Sequence, residues 1–469
     1  MDKAQFGMIG LGTMGSNLVL NIADKGIAVC GYDLALDKRQ QLLKAAAGKP
    51  VYTADTPAEL VAALAPPRRI MMMVPAGKIV DVVIDEIAPL LDKGDILIDG
   101  GNSHYTDTDR RIGKLAGMGI EFTGMGISGG EEGARFGPSL MPGGTKESYA
   151  HLKDILEKIA AQSDEGPCVT LVGNGSAGHY CKMVHNGIEY AIMQMICDAY
   201  GILKNALDCD NDELHAIFSQ WNEGRLQSFL VEISAKIFLQ PDDKNPGQRL
   251  VDAVLDRAAQ KGTGMWTSVS ALNLHIPTPT IDEAVVARDL SVFKTERLKV
   301  AAFRKTPVEH ASKPDKEAAI KDLEAALYFG MMTSYMQGLH LLQAASMTYS
   351  YEIDMAEVAR IWKGGCIIRS TMLNEIRRTY LADKNLINLV FDKDFYLALQ
   401  EQRQGLVNSL KIAMDYRVPT PALSSSLQYA DMWGTGRLSS NLLQAQRDFF
   451  GAHTYERIDA EGSFHTEWN

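Results

Sequence analysis

The chain has 469 residues, 46% of them hydrophobic, and a formal net charge of −11. That length is too great for one ordinary hydrophobic core and predicts two or three domains. The acidic balance excludes a general attraction to nucleic acid or anionic lipid, so an anionic substrate would need a local cluster of cations.

The N-terminus lacks the charged and then apolar layout of a signal peptide, and charge or proline interrupts every long apolar run. Six cysteines are scattered without CxxC spacing, which predicts reduced thiols and neither disulfides nor a metal site. We therefore expect a cytoplasmic chain without a nucleic-acid or membrane partner.

The first part of the chain alternates short apolar runs with amphipathic stretches, as βαβ units do. Strands are predicted at residues 5–9, 28–32, 69–74, 95–98, 121–123 and 168–172. Beyond residue 178 the pattern changes to helical periodicity, and helices are predicted at residues 179–204, 210–235, 316–347, 354–382 and 392–414.

The helical part contains an internal repeat, which predicts two related helical halves. The repeated pairs are Met193-Gln194 with Met336-Gln337, Trp221 and Gly224 with Trp362 and Gly365, and Glu232-Ile233 with Glu375-Ile376. After Leu438 the chain gains Ser, Gln, Arg, Gly and His. This composition predicts an extended tail that frays unless something holds it.

A glycine-rich loop follows the first predicted strand and opens an amphipathic helix. Its residues are Gly10, Leu11, Gly12, Thr13, Met14 and Gly15. In this context Gly10 allows the tight turn, Gly12 allows a pyrophosphate to approach the backbone closely, and Gly15 allows the helix to pack on the strand. The chain is therefore predicted to be α/β plus all-α. A Rossmann-type dinucleotide-binding domain spans residues 1–178, a large all-helical domain with internal duplication spans residues 179–434, and a C-terminal tail spans residues 435–469.

Asp33 ends the second predicted strand, 18 residues after Gly15, where the adenosine ribose of a dinucleotide would lie. Its carboxylate can bind both ribose hydroxyls of NAD. It would repel the 2′-phosphate of NADP by on the order of 4 kcal/mol per charge pair at 4 Å. No arginine follows at once, although Lys38 lies within reach. We predict NAD as the cofactor and NADP as the less favoured alternative; a second interpretation is that Asp33 only caps the next turn.

Lys182, Asn186 and Glu189 follow the i, i+4, i+7 spacing of one helix face. Lys182 and Glu189 stand roughly 10 Å apart along the helix axis, enough to bracket a five- or six-carbon substrate. The amine can accept a proton and the carboxyl group can donate one. A solvated polar helix face is the alternative interpretation. Two glycine-rich loops after strands, at residues 99–103 and 124–144, favour an anion such as a carboxylate nearby.

These segments resemble the decarboxylating 6-phosphogluconate dehydrogenases, within the β-hydroxyacid dehydrogenase superfamily. The resemblance is carried by Gly101-Asn102-Ser103, by Ile127-Ser128-Gly129-Gly130, by residues 182–190, by Gln260-Lys261-Gly262-Thr263-Gly264-Met265-Trp266-Thr267, by Ala287-Arg288 and by residues 446–453. It covers essentially the full length, and the order of the motifs matches.

The resemblance implies oxidation of 6-phosphogluconate at C3, with hydride transfer to the nicotinamide, followed by decarboxylation to ribulose 5-phosphate without a metal. Lys182 is implied as the general base and Glu189 as the general acid. The base must be a neutral amine, so the pKa of Lys182 must fall from its ordinary value near 10.4 towards neutrality. Burial beside the nicotinamide would lower it.

The resemblance also implies the remaining contacts. The groups holding the substrate carboxylate and hydroxyls would be Asn102, Ser128, Gly129, Gly130, His185 and Asn186. Those holding the phosphate would be Tyr190, Lys261, Arg288 and Arg447. The cofactor loops would include Val74, Pro75, Ala76 and Asn102. Arg447 and His453 lie in the tail, which in the family enters a second subunit, so a homodimer with shared substrate sites is implied.

The departures from the family surround the cofactor. Many NADP-using members have Asn-Arg-Thr where this chain has Asp33-Leu34-Ala35, and lysine where Pro75 and Met265 stand. This chain therefore lacks the arginine whose guanidinium group would contact the 2′-phosphate of NADP, and its absence favours NAD.

Two alternative functions remain open at this point. A non-decarboxylating β-hydroxyacid dehydrogenase acting on a short acid would not need Lys261, Arg288 and Arg447. A non-catalytic dinucleotide-binding scaffold need not keep both Lys182 and Glu189. The pathway role, pentose phosphate flux or gluconate utilisation, is also open.

Overall fold

The computed structural model describes residues 3–304 and 313–468. The chain divides into two compact units, Met1–Ser426 and Leu427–Asn469, which are described separately below. None of the helices in the described ranges has the length and hydropathy of a membrane span.

A seven-stranded sheet forms the N-terminal part of the first unit. Its strands are β1 (Phe6–Ile9), β2 (Val29–Tyr32), β3 (Val51–Thr53), β4 (Arg69–Met72), β5 (Ile96–Asp99), β6 (Glu121–Ser128) and β7 (Ser139–Pro142). Their order is β3-β2-β1-β4-β5-β6-β7, with only β7 antiparallel to its neighbour. This is a doubly wound sheet, and its order reverses between β1 and β4, where such sheets bind ligands.

Helices cover both faces of this sheet, so its central strands are buried and read as nearly continuous apolar runs. They are α1 (Thr13–Asp24), α2 (Leu36–Ala45), α3 (Pro57–Ala63), α4 (Lys78–Ile87), α5 (Tyr105–Ala116), α6 (Gly130–Phe136) and α7 (Lys146–Ile159). A short hairpin, β8 (Gln162–Ser163) with β9 (Gly166–Pro167), follows α7. The predicted dinucleotide-binding fold is confirmed.

One predicted strand is wrong, and two strands of the seven-stranded sheet, β3 and β7, were not predicted. Residues 168–172 form no strand; Val169 and Gly173 make only isolated bridges, to Leu140 and Gly143. The sheet edge beside β6 is occupied instead by β7, whose short apolar run is enclosed by glycine and proline. Because those residues are typical of turns, the sequence pattern predicted a loop at this position and not a strand.

The rest of the first unit is helical, as predicted. Its helices are α8 (Ala177–Asn205), α9 (Asn211–Glu223), α10 (Phe229–Leu239), α11 (Leu250–Ala253), α12 (Thr263–Asn273), α13 (Pro279–Val292), α14 (Lys294–Ala302), α15 (Lys316–Tyr349), α16 (Met355–Ile361), α17 (Met372–Ala382) and α18 (Lys393–Asp415). A further helix, α19 (Pro421–Trp433), begins in this unit and ends in the second. The two long helices α8 and α15 pack together and are buried over most of their length.

Two predicted helices are each broken in two. Residues 210–235 form α9 and the start of α10, and residues 354–382 form α16 and α17. The breaks follow Gly224 and include Gly365, whose φ of 65° is unfavourable for other residues. Ser228 and Ser370, one from each connection, form an antiparallel bridge, so the repeated segments meet at corresponding positions.

The second unit is not an extended tail. It contains α20 (Ser440–Gly451) and a hairpin of β10 (Tyr455–Glu456) with β11 (Ser463–Phe464). The buried carboxylate of Asp448 holds the unit together, because it accepts hydrogen bonds from Thr454 N, His465 Nδ1, Thr466 N and Trp468 Nε1 at 2.9 to 3.0 Å. The prediction of an extended segment is therefore wrong.

Candidate active site

A cavity of about 1040 Å³ opens at the carboxyl ends of β1, β2, β4 and β5. The predicted cofactor residues that line it are Gly10, Gly12, Thr13, Met14, Gly15, Asp33, Val74, Pro75, Ala76 and Asn102. Leu11 is buried, and its backbone N–H donates to the Asp33 carboxylate at 2.8 Å. The structure therefore brings these residues together at the switch point of the sheet.

The glycine loop has the shape that a pyrophosphate requires. Gly10 has a φ of 91°, and a Cβ there would lie 2.5 Å from the carbonyl oxygen of Met73. A Cβ on Gly15 would lie 2.0 Å from the Gly10 carbonyl oxygen, so helix α1 packs directly on the loop. Gly12 has open space beside it, with no atom within 4 Å of a Cβ position. The loop thus fits a dinucleotide at the start of α1.

Asp33 lies at the far end of this cavity, and its carboxylate is ionised. Oδ2 accepts from Leu11 N, and Oδ1 accepts from Ala35 N at 2.9 Å. Burial opposes ionisation, but these hydrogen bonds and the Lys38 ammonium group lower the pKa of Asp33 below its ordinary value. Lys38 Nζ lies 3.5 Å from Asp33 Oδ2 and also lines the cavity. A cation therefore accompanies the carboxylate that was predicted to exclude a 2′-phosphate.

Lys182 lies in the buried part of α8, against strand β6. Its side chain is 6% exposed, and a Cβ on Gly126 would lie only 2.4 Å from Lys182 Cβ. Burial lowers the pKa of the Lys182 ammonium group, while Glu189 and the thiols of Cys366 and Cys181 act in the opposite direction. The net direction is the one that a general base requires.

His185 joins the β6 loop to the acid on α8. Its Nε2 lies 3.2 Å from Ser128 Oγ, its Nδ1 lies 3.2 Å from Asn186 Oδ1, and Glu189 Oε2 lies 3.8 Å from the same Nδ1. Burial, together with Lys182, lowers the pKa of His185 well below its ordinary value. The ring is therefore neutral, and the contact with Asn186 assigns its proton to Nδ1, leaving Nε2 to accept from Ser128.

Glu189 is partly open to solvent, with 21% of its side chain exposed. Burial raises the pKa of its carboxyl group, and Lys182 and Arg288 act against that shift.

The segment that follows β6 contains Gly129 and Gly130, whose φ angles are positive, at 116° and 62°. A Cβ on Gly129 would lie 2.5 Å from the Gly365 carbonyl oxygen, so this loop also packs against the connection after α16.

Arg288 on α13 stacks on Tyr190, the residue that follows Glu189 on α8, and brings a cation to this part of the site. The guanidinium carbon of Arg288 lies 3.6 Å from the centroid of the Tyr190 ring, and its Nη1 donates to the Ala259 carbonyl at 3.3 Å. Gly264 allows helix α12 to approach the same ring, because a Cβ there would lie 2.4 Å from it. Lys261 is exposed and lines the large cavity.

The tail residues Arg447 and His453 belong to the second unit. Arg447 Nη1 donates to Gln444 Oε1 at 3.1 Å, and the His453 ring packs on Phe450 with centroids 5.9 Å apart.

Two aromatic residues of the cavity lining are among those that had no role in the sequence prediction. His104 and Trp266 both line the cavity and contact each other edge to face, with ring centroids 5.0 Å apart. Trp266 lies inside a motif that carried the family resemblance, which was a usable signal. His104 gave no signal, because only the fold brings it beside a residue 162 positions later.

Two family models together match almost the whole chain. Residues 5–173 match the NAD binding domain of 6-phosphogluconate dehydrogenase, and residues 178–468 match the 6-phosphogluconate dehydrogenase C-terminal domain.

Individual proteins agree over the full length. The chain is 48% identical over 470 residues to a decarboxylating 6-phosphogluconate dehydrogenase of Synechococcus elongatus, covering 100% of both chains. It is 47% identical over 468 residues to the NADP(+)-dependent, decarboxylating 6-phosphogluconate dehydrogenase of Bacillus subtilis, again covering 100% of both. The solved structure of Plasmodium falciparum 6-phosphogluconate dehydrogenase, studied with NADP+ and with 6-phosphogluconate, matches with a TM-score of 0.95 at 43% identity. That match covers 99% of this chain and 100% of that one.

Proposed function

Because the chain belongs to the 6-phosphogluconate dehydrogenase family, we propose that it converts 6-phosphogluconate to ribulose 5-phosphate and CO2 by oxidative decarboxylation, with a nicotinamide dinucleotide as oxidant. The observation that carries the proposal is the buried Lys182 on α8, whose pKa is lowered and which packs against Gly126 of β6, the residue before the cavity-lining Ile127.

Lys182 is the proposed general base. Its neutral amine takes the proton of the C3 hydroxyl group while C3 is oxidised to a ketone. A nicotinamide bound in the cavity would supply the hydride acceptor for C3. The Lys182 ammonium group then donates its proton to the ketone oxygen as the C–C bond to the carboxylate breaks, so that the electron pair of that bond enters the C=C bond of an enediol and CO2 departs. Glu189 protonates the carbon that lost CO2 while Lys182 takes back the hydroxyl proton, since burial keeps the Glu189 carboxyl group more readily protonated than usual.

We assign the remaining groups by their contacts. Neutral His185, Ser128 and Asn186 form one connected hydrogen-bonding set, suited to the substrate hydroxyls and carboxylate. Asn102, Gly129 and Gly130, the last with open space beside it, complete this end. Arg288, stacked on Tyr190, and Lys261 supply the cations for the phosphate. Positive charge is needed here because the chain as a whole is acidic.

We further propose a homodimer in which the tail completes the neighbouring site. Arg447 of the partner subunit would contact the phosphate, and His453 of the partner subunit would lie beside it. The apolar side chains exposed on α20 support this proposal. Leu442, Leu443, Phe449 and Phe450 are 55 to 72% exposed, which is unfavourable in water without a covering surface.

For the cofactor we propose NAD in preference to NADP. The ionised Asp33 carboxylate lies at the ribose end of the cavity, and Leu34 replaces the arginine of many NADP-using members. Lys38, 3.5 Å from Asp33, offsets part of the repulsion towards a 2′-phosphate, so we expect a moderate preference. The relatives whose names include NADP are evidence against a preference for NAD only if they also have Asp33 and Leu34 at these positions.

A steady-state comparison of NAD and NADP with 6-phosphogluconate tests substrate, reaction and cofactor together. We expect CO2 to be released in equal amount to reduced dinucleotide, and kcat/KM to be higher with NAD. The Asp33→Asn/Leu34→Arg variant should move the preference towards NADP, whereas Asp37→Asn, an exposed acid in the first turn of the following helix α2, should leave it unchanged. Equal or better kcat/KM with NADP in the unmodified protein would overturn the NAD assignment. Reduction without CO2 would overturn the decarboxylation.

A further inference from the structure

Arg111 is an arginine on α5 with no exposed side-chain surface, and every one of its five N–H groups has an acceptor. Nε and Nη2 form a bidentate pair with the carboxylate of Asp81, at 3.0 and 3.2 Å. Nη2 also donates to the Gly77 carbonyl at 2.9 Å. Nη1 donates to Asp99 Oδ2 at 3.2 Å and to Ser103 Oγ at 3.3 Å.

Gly77, Asp99 and Ser103 come from the two segments that bound one end of the dinucleotide cavity, and Asp81 comes from the first turn of α4. Gly77 ends the segment of residues 74–77 that follows β4, and Asp99 ends β5. Asp99 Oδ1 accepts from Gly101 N at 3.0 Å, so the same carboxylate orients the loop that carries Asn102. Both loops line the cavity on the side away from Asp33.

The same network reaches α8, the helix of Lys182. His179 Nε2 lies 3.0 Å from the Asp99 carbonyl oxygen, and His179 Nδ1 lies 2.6 Å from Thr108 Oγ1. His179 is buried and precedes Lys182 by less than one helical turn. One guanidinium group is therefore in contact with the cofactor loop, the Asn102 loop and, through Asp99, the first turn of α8.

Buried charge makes this arrangement rigid. Removing a guanidinium from water is costly unless each donor is paired, so a shift of either loop would leave an unpaired group in the interior. Asp81 also pairs with Arg110, the residue before Arg111. The positive charges of Arg110 and Arg111 offset the negative charges of Asp81 and Asp99.

We infer that Arg111 is a positioning residue, which holds residues 74–77 and 100–102 in register with α8 so that dinucleotide and substrate meet Lys182. It touches neither ligand in this assignment. The expected change in turnover rests on the proposed function. The expected change in dinucleotide binding does not depend on which substrate the protein oxidises.

Arg68 provides a matched control, because it lies at the opposite ends of the same two strands, β4 and β5. Arg68 precedes β4 and pairs through Nη1 with Asp92 and Asp95 at 2.7 Å, and Asp95 precedes β5. This arginine is also largely buried, at 13% side-chain exposure, and it also joins two carboxylates. It lies at the amino ends of the strands, whereas Arg111 contacts their carboxyl ends.

The test compares Arg111→Lys with Arg68→Lys. Lysine keeps the charge but cannot make the bidentate pair and the loop contacts together. For each full-length variant we would measure the unfolding midpoint, the Kd for NAD by calorimetry, and kcat and KM for both substrates. We expect both variants to lose stability. Only Arg111→Lys should weaken NAD binding, by about 10-fold, and lower kcat/KM by roughly 10- to 100-fold, because a displacement of about 1 Å is enough.

Asp81→Asn is the second variant, should Arg111→Lys not fold. It leaves the guanidinium in place and removes one charged partner on α4, so we expect a smaller loss of NAD affinity with little change in the KM for 6-phosphogluconate. If Arg111→Lys, or Asp81→Asn in its place, lowers the unfolding midpoint but leaves Kd and kcat/KM within about twofold of the unmodified protein, Arg111 is only structural and the inference is wrong. If no variant, including the unmodified chain, oxidises 6-phosphogluconate, the proposed function fails while the Kd comparison still decides the inference.

Discussion

At the scale of single residues, the site depends on where two ionisable groups stand along α8. Lys182 lies in the buried part of the helix, where the neutral amine is favoured. Glu189 lies two turns later, where the helix reaches partial exposure and burial still raises the pKa of the carboxyl group. The helix spacing was visible in the sequence, but the burial that shifts both groups was not.

Replacing Lys182 by methionine removes the amine and keeps an unbranched side chain of similar length. We expect hydride transfer to fall by at least about 10³-fold, within the range of a lost general base, and NAD binding to change little. Stopped-flow absorbance and calorimetry would measure the two effects. Lys204→Met is the control, because Lys204 lies near the other end of α8 and pairs with Asp252. Substantial residual turnover in Lys182→Met would remove this residue from its role.

The pH dependence supplies a second measurement on the same residue. Burial lowers the pKa of Lys182, so the amine is neutral, and active as a base, above that lowered value. We expect kcat/KM for 6-phosphogluconate to fall as the pH decreases through it, because protonation removes the base. A rate that rises on acidification would contradict the assignment.

At the scale of elements, the site depends on close packing of α8 against β6. Glycine at the contact permits it: a Cβ on Gly178 would lie 2.2 Å from the Gly124 carbonyl oxygen, and a Cβ on Gly126 would meet Lys182 Cβ. A side chain at either position would separate helix and strand. Sequence analysis placed Gly126 in a loop, whereas it lies in β6, because a close approach between distant segments leaves no local pattern.

Gly126→Ala tests this packing. The new methyl group must displace Lys182, and overpacking of this kind costs about 1 to 3 kcal/mol. We expect kcat to fall by about 10-fold or more, with a smaller effect on NAD affinity. Gly113→Ala is a matched control, since Gly113 lies in α5 with no atom within 4 Å of its Cβ position and should tolerate alanine. Unchanged kcat in folded Gly126→Ala would show that Lys182 tolerates the shift.

At the scale of the whole molecule, we propose that a second copy of the chain completes the site. The second compact unit folds around Asp448, and its helix α20 carries apolar side chains exposed to solvent. Such a unit has its own hydrogen-bonded centre but lacks a surface to cover its apolar face.

Deleting the chain after Leu438 should lower activity with 6-phosphogluconate strongly while leaving NAD affinity near that of the full chain. Light scattering and steady-state kinetics would follow assembly and turnover together. Arg447→Met separates the two contributions, because it keeps the apolar face and removes only the cation; we expect a raised KM for 6-phosphogluconate and normal assembly. Full activity in a monomeric truncated chain would contradict the shared site.

Local spacing was enough to predict several features of the site. The Gly10 to Gly15 loop, the acid at Asp33 and the face of Lys182 and Glu189 all lie within short segments, where backbone periodicity relates position to orientation. Which distant groups meet could be learned only from the folded chain. It brought Ser128 to His185, Arg288 to Tyr190 and Arg111 to both cavity loops, and it broke two predicted helices at glycine positions. The physical reason is that burial and pairing across long sequence separations depend on the path of the whole chain, and those contacts set charge state and geometry at the site.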